Sequence, residues 1–189
     1  MAFCTTLSIH SEGSVQNREP SIELRELPQQ EGAYYQGPTG FIQLQHLLSY
    51  GKGLTQRVRT VIPTLTPQGL RKFKGAEAPV KIQEDKPTFL LRGNPLVGGG
   101  SIRDVVLARL DKKKDHRDLP VTSGSTLFTV RQVLPKDHTP EISVTPVTET
   151  VFKLTPAQPL PAGQYLITFG NGEVGGFDFE IAPTTLPKH

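Results

Sequence analysis

The stretch VTETVFKLTPAQPLPAGQYLITFGNGEVGGFDFEI, residues 147–181, decides the fold class, because apolar and polar residues alternate in it more clearly than elsewhere in the chain. In FDFEI (177–181) every second residue is apolar, and QYLITF (164–169) repeats the pattern. A period of two is typical of a β-strand with one buried face and one face in water. Asn171-Gly172 lies between the two segments and indicates a hairpin, since both residues tolerate a positive φ.

A turn motif, LPAGQY (160–165), leads into the first of these strands. A glycine two positions before a tyrosine, preceded by a turn, resembles the tyrosine corner of Greek-key sandwiches, in which the phenol hydroxyl bonds to nearby backbone. A buried tyrosine needs such a hydrogen-bond partner. We therefore assign structural roles, and no catalytic role, to Gly163 and Tyr165.

Composition limits the class of protein. The 189 residues include 18 Gly and 17 Pro, which suits many short strands joined by turns. The net charge of +3 is too small to indicate nucleic-acid binding without a concentrated basic face. Cys4 is the only cysteine, so an intramolecular disulfide and Cys-rich zinc sites are excluded.

The chain lacks the patterns that mark membrane insertion or export. No apolar run approaches the roughly 18 residues of a membrane span. Residues 1–10 have neither a basic start nor a continuous apolar core, so they do not predict a signal peptide. The compartment stays open, with a mature secreted or periplasmic form as one possibility.

The predicted fold is all-β, either a β-sandwich or two small packed antiparallel β units, with very little helix. We expect a flexible leader (1–20), an N-terminal β unit (21–92), a C-terminal Ig-like β unit (93–183) and a tail (184–189). The boundary is placed at the strong breaker Gly93-Asn94-Pro95. The alternative is that residues 21–183 form one compact domain.

Three segments carry more local predictions. Residues 31–44 predict a hairpin with GPTG (37–40) as its turn. Residues 46–52 are ambiguous and are compatible with one helical turn. Residues 101–110 fit either a capped helix or a strand, and their run of β-branched residues favours the strand.

Residues 52–74 carry basic side chains and no acidic residue, which makes them the best candidate for an anionic partner. The candidate contacts are Arg57, Arg59, Arg71, Lys72 and Lys74. The alternative is a solvated face, and the scarcity of interleaved aromatics argues against single-stranded nucleic acid.

Tyr34 and Tyr35 are adjacent, and together they could present an exposed aromatic platform to a glycan or peptide. The alternative interpretation places one ring in the core and the other at an edge, since strands favour aromatic residues in any case.

The loop at residues 111–118 holds candidate ligands for a hard cation, namely Asp111, Asp115, His116 and Asp118. Three lysines and an arginine among them oppose a cation, and no glycine supplies the sharp turn of a calcium loop. We interpret the segment as a solvated hairpin tip and predict neither a metal nor a cofactor.

No catalytic motif is present. The histidines at positions 10, 46, 116, 138 and 189 show no HxH or HExxH spacing, and no GxSxG occurs. We therefore predict no catalytic residue from the sequence. The open alternative is that tertiary structure brings His46, His116 or His138 beside a carboxylate.

Several short motifs, in this order, resemble a family of bacterial β-rich domains of unknown function, over about residues 31–182. They are GAYY (32–35), GAEAPV (75–80), PTFLLR (87–92), LARLDKK (107–113), Arg117, LPAGQY (160–165) and FDF (177–179). The resemblance implies mainly β structure and supplies no catalytic residue, cofactor or substrate.

The leading functional hypothesis is a non-catalytic interaction or structural module whose partner is a protein, peptide or glycan. Two alternatives remain. One is polyanion or nucleic-acid binding through the basic stretch, and the other is cation binding or hydrolysis at a site formed only in the tertiary structure.

Overall fold

The computed structural model describes residues 24–54, 68–93, 102–126, 129–169 and 175–183. Within these ranges the chain forms thirteen strands: β1 (Gly32–Gly37), β2 (Gly40–Gln43), β3 (Gln45–Leu54), β4 (Gln68–Lys74), β5 (Lys81–Ile82), β6 (Phe89–Arg92), β7 (Val105–Lys112), β8 (His116–Thr126), β9 (Thr129–Val133), β10 (Ile142–Pro146), β11 (Val151–Pro156), β12 (Gly163–Phe169) and β13 (Gly175–Ile181). Short 3-10 turns at Leu24–Glu26, Ile102–Asp104 and Lys136–His138 are the only helical elements among these residues. The predicted all-β class is confirmed.

Six of the strands close into a barrel in the order β12-β7-β8-β4-β3-β13, and a β12–β13 pairing completes the circle. Neighbouring strands around it are antiparallel. The weakest seam is between β7 and β8, which pair only at Asp111↔Asp118 and Lys112↔Arg117. Two short strands extend the wall, because β5 adds in parallel to β13 and β9 pairs with β8. Closure removes exposed strand edges from most of this sheet.

The other five strands form an open antiparallel sheet in the order β10-β11-β6-β1-β2. Strands from both sides of residue 93 share both sheets, since β6 pairs with β11 and β4 pairs with β8. Among the described residues, the strand pairings therefore cross the boundary that the sequence suggests at residue 93.

The main core lies between the open sheet and one wall of the barrel. Phe89 of the open sheet meets Phe179 of β13 with ring centroids 4.6 Å apart, and Tyr165 of β12 stacks on Phe179 at 5.5 Å. The apolar positions of β12 and β13 supply this layer, as their period of two predicts. Burial of such rings from water is the largest favourable contribution to folding.

The polar positions of these strands do not face water, contrary to the sequence prediction of one wet face. They point into the barrel, where Asp178 of β13 is 1% exposed beside Gln164 of β12 at 2%. Apolar residues fill the rest of the interior, including Phe73, Leu119 and Leu166. Barrel closure explains the error, because it converts the second face of each strand into a second interior.

Gly176 lets β13 approach β12 closely enough to close the barrel. A Cβ at this position would collide with the carbonyl oxygen of Ile167. A residue without a side chain is needed where two backbones approach so closely.

Two tyrosine corners fasten the ends of strands. Tyr165 donates its hydroxyl to the carbonyl oxygen of Pro161 at 2.7 Å, so the predicted corner is present. Tyr34 makes the same contact four residues back, to the carbonyl oxygen of Gln30 at 2.8 Å. The sequence prediction missed this second corner, although Gly32 stands two positions before Tyr34 as Gly163 does before Tyr165.

Most local strand predictions hold where the structure describes the residues. The 31–44 hairpin is formed by β1 and β2, and β7 confirms the strand chosen within 101–110. A helical turn at 46–52 is wrong, because β3 runs through these residues. The hairpin at Asn171-Gly172 joins paired strands β12 and β13, but the turn itself, the 1–20 leader and the 184–189 tail lie outside the described residues.

Candidate functional site

The basic residues proposed as an anion patch do not share one surface. Arg57 and Arg59 lie outside the described residues. On β4, Arg71 is only 4% exposed and shares the inward side of the strand with Phe73. Lys72 and Lys74 point to the outer face, where Lys72 is half-buried and Lys74 is exposed. Strand alternation therefore leaves two of the five predicted cations on the described surface.

The two adjacent tyrosines form no exposed platform, so this prediction is wrong. Tyr34 is 0% exposed and Tyr35 is 5% exposed, and they point to opposite faces of β1. Tyr35 donates its hydroxyl to Oε2 of Glu84 at 2.9 Å. Burial, together with the carboxylate of Glu84, raises the pKa of Tyr35 to about 12. Both rings are structural.

The charged segment at 111–118 is the tip of the β7–β8 hairpin, as predicted, but it is not solvated throughout, because Arg117 and Asp118 belong to β8 and are buried. Nδ1 of His116 lies 2.6 Å from Asp115 Oδ1, and its Nε2 lies 3.3 Å from Asp118 Oδ1. Within the described ranges no set of three His, Cys, Asp or Glu side chains has an arrangement that could hold a metal ion. The carboxylates at this tip therefore do not converge as the cation hypothesis requires.

A groove of about 530 Å³ lies at the end of the barrel where β7 finishes, β12 begins and β13 finishes. We call it the barrel-end groove. Its charged and polar walls are Arg109, Asp111, Lys112, Asp137, His138, Gln164 and Glu180. These side chains come from four segments that are distant in sequence and that strand pairing brings together. No local sequence motif marks the set, beyond the adjacent Asp137-His138 pair.

The position of the groove follows from the short β7–β8 ladder. The chain after β9 lies against β7 beside this seam, and Leu134 enters the barrel-interior cluster. The turn Lys136–His138 then places its last residue beside β7. Thr139 fastens the end of this turn by donating its hydroxyl to the carbonyl oxygen of Pro135 at 2.8 Å.

His138 stands between two carboxylates of the groove. Its Nε2 lies 3.4 Å from Asp111 Oδ1, and its Nδ1 lies 3.3 Å from Asp137 Oδ2. The contact with His138 lowers the pKa of the Asp137 carboxyl from its ordinary value. A general base needs one ring nitrogen free for the proton that it removes. Here Nε2 makes the hydrogen-bond contact with Asp111, and Nδ1 is buried without a hydrogen-bond partner, so neither nitrogen is a free and accessible base.

The opposite side of the groove is held by a chain of alternating charges. Glu77 pairs with Lys112 and with Lys81, the second contact at 2.8 Å. Lys81 also lies 3.6 Å from Oε2 of Glu180. Hydrogen bonds from the two lysines lower the pKa of Glu77 to about 2. Ion pairs at this exposed rim contribute little to stability individually, so their clearest effect is to set the charge pattern around the opening.

Beneath the groove, a buried ion pair organises the barrel interior. Arg117 donates from Nη1 to Asp178 Oδ2 at 2.8 Å, and both side chains are 2% exposed. Its Nε donates to the carbonyl oxygen of Gly75 at 3.0 Å. The Gln164 amide oxygen accepts from the backbone N–H of Ala78 at 2.8 Å. Burial raises the pKa of Asp178, and Arg117 opposes that shift. These contacts anchor the segment after β4 across the barrel end.

The three described histidines thus have different surroundings. His138 lies beside carboxylates in the groove, and His116 lies beside carboxylates at the hairpin tip. His46 is exposed on β3 and contacts the edge of the Phe177 ring, with centroids 5.1 Å apart.

Comparison with known proteins finds no protein-family model, curated protein or solved structure that matches this chain. Among the described residues, no helix is long and apolar enough to cross a membrane.

Proposed function

We propose that this protein is a non-catalytic β-rich interaction module that holds a polar segment of a protein, peptide or glycan in the barrel-end groove. The observation that carries the proposal is the groove itself, a concave site whose walls combine acids, cations and an amide. Concave sites with a few convergent polar groups are where proteins most often bind ligands.

The rigidity of the walls supports binding. Three of the four segments are strand ends, and the fourth is a turn fixed by the Thr139 hydrogen bond. The interior hydrogen bonds of Arg117 and Gln164 keep the barrel end in one conformation. A preorganised site loses little conformational entropy when a ligand binds, which favours affinity.

The arrangement of His138 supports binding over catalysis. Its Nε2 is in contact with Asp111 and its Nδ1 is buried, so the ring presents no free nitrogen to a water or hydroxyl in the groove. The carboxylate oxygens remain acceptors for donors on a ligand, such as peptide N–H groups or sugar hydroxyls.

The experiment is a saturation-transfer NMR screen of pooled tripeptides and oligosaccharides, followed by calorimetry of each binder. The chain offers a matched pair of variants. Asp137→Asn and Asp115→Asn each remove a carboxylate next to a histidine, but only Asp137 lines the groove.

We expect Asp137→Asn to weaken binding at least about tenfold, because hydrogen bonds to charged groups contribute about 1.5–3 kcal/mol. Asp115→Asn should leave affinity unchanged. Equal effects of the two variants, or no binder for the wild-type protein in either pool, would contradict the proposal.

Polyanion binding is the weaker alternative, since only Lys72 and Lys74 of its five residues lie on the described outer surface. Its signature would be an affinity for heparin that falls steeply as salt rises.

A further inference from the structure

Strand β3 has an irregularity that places an aromatic ring in solvent. Ser49 pairs with Phe73 of β4 and Gly51 pairs with Lys72, so Tyr50 is an extra residue with no partner on β4. This is a β-bulge. Bulges commonly redirect a side chain at barrel rims and functional surfaces. The Tyr50 side chain is 59% exposed, the largest exposure of any large apolar residue in the described chain.

A second apolar side chain lies beside it. Leu48 is 56% exposed and stands on the outer face of β3, two residues before Tyr50. Its partner on β13 is Gly175, and the residue after Tyr50 is Gly51. Neither glycine has a side chain that could cover the two apolar groups. Leu48 and Tyr50 thus offer an apolar contact surface, whose significance depends on the charges beside it.

The neighbouring strand adds positive charge to the same face. Lys72 pairs with Gly51, and the antiparallel register sets Lys74 beside Leu48. Neither lysine forms an ion pair with another described residue. Two carboxylates lie near them: Asp115, which His116 engages at 2.6 Å, and Asp118, which is opposite Lys72 in the β4–β8 register and lies 3.3 Å from Nε2 of His116. Neither forms a salt bridge with Lys72 or Lys74, so the two ammonium groups can pair with an external carboxylate.

We propose that this face, which we call the bulge face (Leu48, Tyr50, Lys72 and Lys74), docks a segment of another protein that carries carboxylates next to apolar side chains. Tyrosine is enriched among the residues that dominate interface energies, and complementary charge guides the approach of the partner.

The charge of the bulge face decides between possible occupants. A symmetric contact with a second copy would set the same lysines against each other, because both copies present the same patch. A nucleic acid would need a longer track of cations than two lysines provide. An acidic and partly apolar protein segment complements both features. The site is on β3 and β4, so it is separate from the barrel-end groove.

The test is a selection from a phage-displayed library of random peptides, with fluorescence anisotropy of the recovered peptides. The variants are Tyr50→Ser and the charge reversal Lys72→Glu/Lys74→Glu. The controls are Val147→Ser, which alters an apolar residue 36% exposed in the β10–β11 hairpin, and Lys136→Glu, which alters an exposed lysine before the groove. Circular dichroism confirms that each variant folds, as expected for substitutions of exposed residues.

We expect recovered peptides rich in Asp or Glu beside Leu, Phe, Tyr or Trp. Tyr50→Ser and the lysine reversal should each weaken their binding at least tenfold, while both controls and Asp137→Asn retain it. Peptides that lose binding in Asp137→Asn are assigned to the groove and set aside. The proposal is overturned if the remaining peptides lack acidic residues, if their binding survives Tyr50→Ser, or if no such peptide is recovered. A dimer or an oligothymidine complex that Tyr50→Ser abolishes would also overturn it.

Discussion

Replacing Tyr165 by Phe tests whether the tyrosine corner stabilises the fold through its hydroxyl. The variant removes one oxygen and keeps the ring, which is fully buried and stacked on Phe179 at 5.5 Å. What is lost is the 2.7 Å hydrogen bond to the carbonyl oxygen of Pro161. A buried acceptor left unpaired costs about 1–3 kcal/mol. This hydrogen bond is only partly buried, so we expect the lower end of that range, about 1 kcal/mol.

The assay is urea denaturation followed by far-ultraviolet circular dichroism. A loss of about 1 kcal/mol moves the midpoint down by about 0.3–1 M, given urea slopes of about 1–3 kcal/mol/M. Tyr50→Phe is the matched control, because it removes the hydroxyl of a tyrosine that is 59% exposed. We expect the control to stay within about 0.5 kcal/mol of wild type. Identical midpoints for the two variants would refute a stabilising role for the corner.

Three more predictions concern the barrel and its rim. Arg117→Met leaves Asp178 buried and unpaired, so it should lower the free energy of unfolding by about 3–5 kcal/mol. Adding Asp178→Leu should restore most of this loss. Chemical denaturation measures both effects, and a double variant that is no more stable than Arg117→Met would contradict the prediction. Gly176→Ala places a Cβ against the carbonyl oxygen of Ile167, so we expect a loss at the upper end of the about 1–3 kcal/mol typical of overpacking, measured by thermal denaturation against wild type, and an unchanged midpoint would contradict the close approach of the two strands. The pKa of Glu77 falls from 4.5 to about 2 in the folded state, so the stabilisation by its ionised carboxylate is present above pH 4.5 and is lost as pH drops toward 2. Glu77→Gln should therefore flatten the dependence of the free energy of unfolding on pH across that range. An unchanged pH dependence would contradict the ion pairs at the rim.

The strands of the last third of the chain could be predicted because their pattern is local. A period of two identifies β12 and β13 without knowledge of their neighbours. The motif before Tyr165 likewise specifies a contact only four residues away. These features depend on short-range geometry, which the sequence records directly.

The environment of the polar face could not be predicted in the same way. Asp178 and Glu180 alternate with apolar residues, and this pattern is the same for a solvated face and for the inside of a closed barrel. Which one applies depends on the β12–β13 and β3–β13 pairings and on Arg117, 61 residues away from its partner. The burial of Tyr34 was equally hard to predict. Its ring belongs to a buried cluster with Leu27 and Val151, which are distant from each other in sequence.

The barrel-end groove illustrates why the candidate site was missed. The sequence leaves open whether His138 meets a carboxylate, and the structure places two beside it. One of them, Asp137, is adjacent in sequence. The other, Asp111, is 27 residues away and lies on β7 where this strand pairs with β8. The predicted anion patch shows the converse case, in which residues that are close in sequence are separated in the structure. Strand alternation turns Arg71 inward and Lys72 outward, so neighbouring charges on β4 do not share a surface.

The most direct test of a binding module, as opposed to an enzyme, is a turnover assay with chromogenic esters, glycosides, phosphoesters and peptides. Wild type, His138→Gln and His116→Gln are compared, because both histidines lie between two carboxylates and only His138 lines the groove. The account predicts no turnover above that of heat-denatured protein in any of the three. Turnover that is lost in His138→Gln and kept in His116→Gln would contradict it and identify the groove as an active site.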